Sequence, residues 1–573
     1  MSFLTRAMTG SVLYMTNNCY CKLTQNCAQV KFHRKNFSKT FIENEWWCSA
    51  RFMCSGAPEP TNKTGSYVVY DKLIAQRRAE AQRSIVIQVL SYNSCADVYT
   101  YCSQFGSINK IFHYSINSGG EKQNLVLIEF EEKQHVDAIM SSSTHVNYEQ
   151  AIPTNTSLLW FRNLVHSKTK VKNVPPEQIK LTKNSIKTAD SGEITKKLLC
   201  SESISDQILT LYNTIKLNDA GTRLRFHTAY QIEHCFSNLF PNIAVLPFGS
   251  SVNGFGKQGC DLDLCLVLDE NSMEKPTSRL VFQTKSISLY DRQQVKRLME
   301  VLAQTINLFL PGVSNVKKIL EARVPIIKFD HSLCGIQCDL AVSNMTAYYM
   351  SELLYIFGET DPRVRPLTFV IRKWADSLHL INKTSPGPWI SNFSLTLMVI
   401  FFLQQRNILP SINALKSKAC KDDIRVADTY VDCTFLRNIE QIPKSTNTDS
   451  LEELLVDFFT YYTKFDFNTN AISLRIGKPI KKSERTPLYI CNPLETNLNV
   501  SKNVSSEQLD RIMMSMQNAL YHLEFHSNER NDQWGLIGLF LMNQTNFIEN
   551  TRKKKLLNFK ELFEKDNDVL TTS

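Results

Sequence analysis

The chain has 573 residues, a formal net charge of +10, and 43% hydrophobic and 10% aromatic residues. That length suggests about three or four domains, the apolar content suffices for packed cores, and the charge suits a polyanionic partner. No apolar run reaches the roughly 18 residues that cross a bilayer, which argues against membrane insertion.

Residues 1–42 contain no Asp or Glu, yet carry Arg6, Lys22, Lys31, Arg34, Lys35 and Lys39 among many Ser, Thr and Asn. A basic, hydroxyl-rich, acid-free start is the pattern of a mitochondrial transit peptide. We assign residues 1–53 to it, which implies the mitochondrial matrix; the other reading is a basic tail that binds RNA or anionic lipid. In residues 84–165, Ser84–Val89 reads as a strand, Cys95–Phe105 as a helix and Ser107–Tyr114 as a strand. A hairpin turn at Ser118-Gly119-Gly120, a strand at Asn124–Phe130, a helix at Gln134–Met140 and a strand near Leu158–Phe161 follow. This β-α-β-β-α-β order resembles an RNA-recognition motif. Its strands offer mainly Ile, Val and Leu where that family exposes aromatic rings, so base stacking is not expected of them. Residues 166–195 are rich in Lys, Thr and Ser, contain Pro175-Pro176, and read as a linker.

The most informative stretch comes next, in residues 196–345. Phe248-Gly249-Ser250 reads as a turn toward a helix start, with backbone N–H groups and a hydroxyl suited to phosphate. Asp261 and Asp263 then sit in an alternating run, Asp-Leu-Asp-Leu-Cys-Leu-Val-Leu. At period two both carboxylates project from one face, while Leu262 and Leu264 point to a core. Their mutual repulsion would be cancelled by a divalent cation. A lone Asp-x-Asp is more often a strand-edge pair, but Ile336–Val342 supplies a third carboxylate, Asp339, on another alternating run preceded by Val324–Phe329. A phosphate cradle with three strand carboxylates points to two-metal phosphoryl or nucleotidyl transfer.

Gly-Ser, Asp-x-Asp and a distant strand Asp resemble the DNA polymerase β-like nucleotidyltransferases. Helical runs at Arg363–Ala375 and Ser391–Leu403, then Glu453–Phe459 and the loop Pro487–Asn499, are similar to the noncanonical poly(A) polymerase and terminal uridylyltransferase group, and most to its mitochondrial poly(A) polymerase branch. The likeness covers roughly residues 200–525. It implies an α+β fold: a nucleotidyltransferase palm of mixed sheet and helices in residues 196–345, a helical central and poly(A)-polymerase-associated domain in residues 346–550, and the motif-like domain ahead of them. It also implies Mg²⁺ or Mn²⁺ on Asp261, Asp263 and Asp339, and ATP on Phe248, Gly249, Ser250, Ser351, Arg372, Asn392, Phe393 and Leu498. Ser351 matches a small hydroxyl residue near the ribose, and Phe393 a ring that stacks on the base. Arg372 shares a helix face with Arg365, a basic stripe for phosphates; Asp376 stands where the family has a second basic residue. Uridylyl-adding relatives have a histidine where this chain has Leu498, which favours ATP.

The expected activity is template-independent addition of AMP from ATP to mitochondrial RNA 3′ ends, with terminal uridylyl transfer or a catalytically silent RNA-binding scaffold as alternatives. In this branch the motif-like domain mediates homodimerisation, and an aliphatic sheet face suits that use. The 16 cysteines show no zinc-type spacing and read as free thiols. Residues 551–573, with Arg552-Lys553-Lys554-Lys555, form a basic C-terminal tail.

Overall fold

The computed structural model describes residues 67–118, 120–144, 156–161, 181–183, 186, 190–240, 242–268, 289, 291–382, 387–427, 430–525 and 534–541. The expected transit peptide and basic C-terminal tail lie outside them.

The first layer is a five-stranded sheet. Its strands are β1 (Ser84–Val89), β2 (Ile108–Ser118), β3 (Glu121–Phe130), β4 (Leu158–Trp160) and β5 (Leu181–Lys183), in the order β4-β1-β3-β2-β5. Helices α2 (Ser94–Cys102) and α3 (Lys133–Ser142) lie between β1 and β2 and between β3 and β4, giving the expected β-α-β-β-α-β order. Alternation sorts its side chains between two cores. Ile85, Ile87, Val126 and Ile128 face Cys95, Val98, Val136 and Ile139 of the two helices.

The other face corrects the expectation of a separate unit with a free aliphatic surface. Val86, Phe112, Tyr114, Leu125 and Leu127 belong to one buried cluster with Ala220, Leu224 and Ile232 of α6 (Asp219–Phe236) and with strands of the next domain. Polar contacts reinforce the seam. Tyr114 donates to the Leu333 carbonyl at 3.0 Å, and the Arg223 guanidinium lies 2.7 Å from Glu129, both side chains buried. The linker expected over residues 166–195 is also revised. Residues 181–183 add β5 in parallel to β2, because an unpaired strand edge takes up any β-compatible segment within reach. Helix α4 (Ser191–Leu199) begins inside the same range.

Ahead of this sheet, α1 (Tyr70–Gln82) went unread in the sequence, where its apolar residues are sparse. Tyr70, Ile74 and Ala81 are buried with Phe226, Leu246, Tyr348 and Tyr355. The second sheet consists of β6 (Ile243–Phe248), β7 (Leu262–Leu268), β8 (Val313–Ile319), β9 (Ile326–His331) and β10 (Ile336–Val342), in the order β6-β7-β10-β9-β8. Only the β7/β10 pair is parallel. Helix α7 (Arg292–Phe309) covers it with Leu298, Met299, Leu302, Ala303 and Ile306, an amphipathic stripe.

The helical part surrounds a third and largest cluster. It holds α5 (Ile204–Ile215), α8 (Met345–Thr360), α9 (Val364–Ser377), α10 (Asn392–Gln405), α11 (Ile412–Ser417), α12 (Leu451–Thr463), α13 (Ser506–Phe525) and α14 (Leu536–Leu541), with a hairpin of β11 (Asn470–Ser473) and β12 (Lys478–Lys481). Ser391 caps α10 by accepting from Ser394 N at 3.0 Å, and Ser450 with Glu453 forms a capping box on α12. Residues 394–404 of α10 are buried all round, which is why its run lacks amphipathic spacing. Among the described residues no helix is long and apolar enough to cross a membrane, and the described cysteines form no disulfide.

Candidate functional site

Strand register assembles the carboxylates. Asp263 of β7 lies directly opposite Asp339 of β10, and Asp339 opposite Lys328 of β9. Phe248 flanks Asp263 on one side, and Lys317 of β8 flanks Lys328 on the other. One straight row therefore crosses the sheet: Phe248, Asp263, Asp339, Lys328, Lys317. Directly opposed residues point to the same face, while Leu262, Leu264, Cys338 and Leu340 between them are fully buried on the other. Asp261 precedes the first residue of β7 by one position and is exposed.

These charges perturb one another. Burial, then the negative charge of Asp339 and Asp261, pushes the Asp263 carboxyl up to about 7, against the pull of Lys328. Asp339 is also raised, by burial first, with Lys328 opposing. Lys328 Nζ lies 3.1 Å from Asp339 Oδ1, yet this buried oxygen has no well-directed hydrogen bond. The contact is mainly one of charge. Among the described residues no three His, Cys, Asp or Glu side chains stand close enough to enclose an ion as they are. The raised carboxyls and the buried Asp339 oxygen without a well-directed donor both fit a divalent cation.

The Gly-Ser turn is built against this row. Gly249 has φ +68°, and a Cβ there would lie 2.5 Å from Asp263 Oδ2, so only glycine lets the turn approach the carboxylate. Its N–H donates to Ser351 Oγ at 2.6 Å, and Ser351 Oγ donates in turn to the Ala347 carbonyl at 3.0 Å. Ser351 is 2% exposed; it fastens the turn to α8 and is closed to a ribose. The expected helix after Gly-Ser is absent. Gly249–Ser251 is a single 3₁₀ turn, and the next regular element is β7. A break at Gly254, whose φ is +83°, ends any helical continuation. Ser250 is half-buried, and its hydroxyl has no partner among the described residues.

Buried Arg225 of α6 was missed by sequence reasoning, since nothing in its surroundings marks it. Its Nε donates to Ser251 Oγ at 3.2 Å, Ser251 Oγ donates to the Asp261 carbonyl at 3.1 Å, and Arg225 also reaches the Cys260 carbonyl. It ties the turn to the base of the first Asp.

The basic stripe on α9 is corrected as well. Arg365 donates to the Asn253 carbonyl at 3.3 Å and to Glu359 at 2.6 Å, and closes over Gly254. Arg372 Nη1 donates to the Phe255 carbonyl at 2.7 Å, and its Nε to Asn392 Oδ1 at 3.2 Å. Burial pulls the Arg372 guanidinium down. Backbone carbonyls of the loop after Gly-Ser-Ser present acceptors first, so both arginines hold that loop. Asp376 is engaged by Lys257 Nζ at 3.3 Å.

Phe393, in the first turn of α10, is half-buried against the large core. Leu498 is half-exposed in a closed loop: its N–H donates to the Glu495 carbonyl at 3.0 Å and its carbonyl accepts from Asn492 N at 2.8 Å. Buried Asn499 pins this loop by accepting from Ile490 N and donating to the Leu488 carbonyl. Arg323 reaches Glu495 at 2.6 Å, joining palm and loop. The structure thus gathers Asp261, Asp263, Asp339, Phe248, Gly249 and Ser351 at the sheet, and Arg372 with Asn392 behind it.

Known proteins agree with this architecture. Residues 204–359 match the family model "Poly(A) RNA polymerase, mitochondrial-like, central palm domain", and residues 450–499 match "Cid1 family poly A polymerase". The mitochondrial poly(A) RNA polymerase of Drosophila melanogaster is 43% identical over 79% of this chain and 76% of its own length. That of Homo sapiens is 38% identical over 85% and 83%. Crystal structures of mtPAP with ATPγS and with UTP, each 34% identical over 82% of this chain and 99% of theirs, superpose with TM-scores of 0.74 and 0.75. The chain belongs to the mitochondrial poly(A) RNA polymerase family.

Proposed function

We propose that this chain, a mitochondrial polynucleotide adenylyltransferase using ATP, performs its chemistry on the carboxylate row. The observation that carries the assignment of the site is the register placing Asp263 directly against Asp339. Asp261 and Asp263 would hold a divalent cation, Mg²⁺ or Mn²⁺, on the triphosphate, and Asp339 one beside the RNA 3′-hydroxyl. When bound, such cations neutralise charge on the attacking and leaving oxygens. The RNA 3′-oxygen bonds to the α-phosphorus, the α–β bridge breaks, and pyrophosphate leaves as the hydroxyl proton passes to solvent.

The protein's part is positioning. The Ser250 hydroxyl is available to a triphosphate oxygen. Gly249, Ser351, Arg225, Arg365 and Arg372 fix the loop around it, and Phe393 supplies a face for the base. Leu498 offers no polar partner to uracil, which leaves ATP preferred without a strict barrier; the relative named mtPAP was crystallised with UTP as well as with ATPγS. The domain at residues 84–161 serves as an RNA-recognition-like scaffold rather than a base-stacking surface, because its inner face packs on the palm. Homodimerisation would then use its exposed rim, around Trp160 and Tyr101, which are 51% and 42% exposed. A chain that stays monomeric at micromolar concentration by light scattering refutes that part.

The deciding test is an RNA primer with each nucleoside triphosphate in turn, for the wild type and for Asp261→Ala, Asp263→Ala and Asp339→Ala. Tailing with ATP should vanish in all three variants while circular dichroism stays native. Near-normal turnover in any of them would remove the two-metal assignment.

A further inference from the structure

The carboxylate row does not end at Asp339. It continues through Lys328 to Lys317 on the edge strand β8, and nothing in the reaction above uses these lysines. We propose that Lys328 and Lys317 form the seat for the last phosphodiesters of the RNA primer, Lys328 leaving Asp339 to take that role when a cation arrives. The idea rests on the assignment of Asp339 to the 3′-hydroxyl side.

Three observations support it. Lys328 Nζ sits 3.1 Å from Asp339 Oδ1, held there mainly by the charge of the carboxylates, and its side chain is one-third exposed, so its head can turn to solvent once that charge is neutralised. A divalent cation on Asp339 would repel an ammonium group at that distance, and the flexible four-carbon stem of lysine lets it move. Its direct neighbour away from the carboxylates is Lys317, about 4.8 Å further across the sheet, exposed and without an ion-pair partner among the described residues. The acidic groups nearby are engaged: Asp330 accepts from Asn315 Nδ2 at 2.7 Å, and Glu321 pairs with Lys296 at 2.6 Å. A phosphate chain laid along β9 and β8 would therefore meet two ammonium groups in line with the point where its 3′-oxygen must react. Their sequence context, Asn-Val-Lys-Lys-Ile and Ile-Ile-Lys-Phe, reveals none of this; only the register does.

The test uses the full chain and a short oligoadenylate primer, with affinity read by fluorescence anisotropy across a salt series, without nucleotide and with Mg²⁺. Lys328→Met and Lys317→Ala should each weaken primer binding several-fold and make the plot of log affinity against log salt shallower by about 0.7 for each phosphate deprived of its ammonium partner. ATP binding measured without primer should not change. Removing the competing ammonium should also tighten Mn²⁺ binding by Lys328→Met in the absence of RNA, read by electron paramagnetic resonance. Lys328→Arg should keep the salt slope, and native melting of Lys328→Met would exclude a merely structural effect. Unchanged primer affinity and slope in both variants, or a loss in Lys328→Met that tracks a fall in melting temperature, overturns the proposal. Because binding is read without turnover, that outcome is separable from failure of the Asp339 assignment, which Asp339→Ala tests on its own.

Discussion

Gly249→Ala is the sharpest probe of how the turn and the carboxylates depend on each other. An L-residue at φ +68° bears a backbone cost of about 1–2 kcal/mol. The added Cβ would also sit 2.5 Å from Asp263 Oδ2, where ordinary van der Waals approach begins at 3.4 Å, so the carboxylate must retreat by roughly 1 Å. A displacement of that size at a reacting centre costs about 100-fold in rate. Primer extension with ATP should therefore fall by about two orders of magnitude, while urea unfolding shifts only by the backbone cost. Gly120→Ala separates the two effects. Gly120 has φ +88° with nothing within 4 Å of an added Cβ, so it should lose comparable stability and keep full turnover. Near-normal extension by Gly249→Ala, or an equal loss in both variants, would refute the claim that the turn sets the position of Asp263.

Ser351→Ala removes the acceptor of the Gly249 N–H at 2.6 Å; a lost buried hydrogen bond of about 1–2 kcal/mol should cut turnover about 5–30-fold with ATP affinity nearly unchanged, checked by initial rates and equilibrium binding. Burial pulls both His227 and His331 down to about 4, His227 also feeling His331. The unfolded chain, with pKa near 6.5, therefore takes up protons first, and stability present above that pH is lost as pH falls toward 4. Each should contribute roughly 2 kcal/mol of loss by pH 5, seen as a drop in urea midpoint that shrinks in His331→Gln; an equal drop in that variant would refute it. Leu498→His should raise use of UTP relative to ATP several-fold, since one good hydrogen bond is worth about 1 kcal/mol, and an unchanged ratio in competition assays would move base choice elsewhere.

The carboxylate-bearing sheet was legible because its signal is local. Period-two alternation around Asp261–Leu268 and Ile336–Val342 separates Leu262, Leu264, Cys338 and Leu340 from Asp263 and Asp339 as read, but β7 starts only at Leu262, which leaves Asp261 ahead of the strand, and Cys265 on the carboxylate side is buried as well. The helices at 364–377 and 392–405 were likewise evident, the second from the length of its apolar run. What stayed hidden depends on partners distant in sequence. Arg365 and Arg372 lie on one helix face as spacing demands, but whether a guanidinium meets a phosphate or the Phe255 carbonyl is decided by a loop more than a hundred residues away. The sorting of β1 into Ile85 and Val86 faces could be read; that α6 would cover the second face could not, because an aliphatic strand looks the same against a helix of its own chain as against another molecule. Tyr70–Gln82 was missed since its few buried residues give almost no periodic signal.

The seam between the first sheet and the palm has a thermodynamic consequence. Leu125 and Leu127 share a core with Leu262, Leu264 and Leu340, so the carboxylate-bearing strands and the upstream sheet should melt in one cooperative transition. Excising the upstream sheet to study a minimal polymerase would bare the apolar side chains of α6 and the palm that its inner face covers, and the fragment should be prone to aggregate. By the same coupling, a cavity made at Leu127 would lower the amount of working enzyme in the organelle without touching a nucleotide, a route by which substitutions remote from any substrate become loss of function.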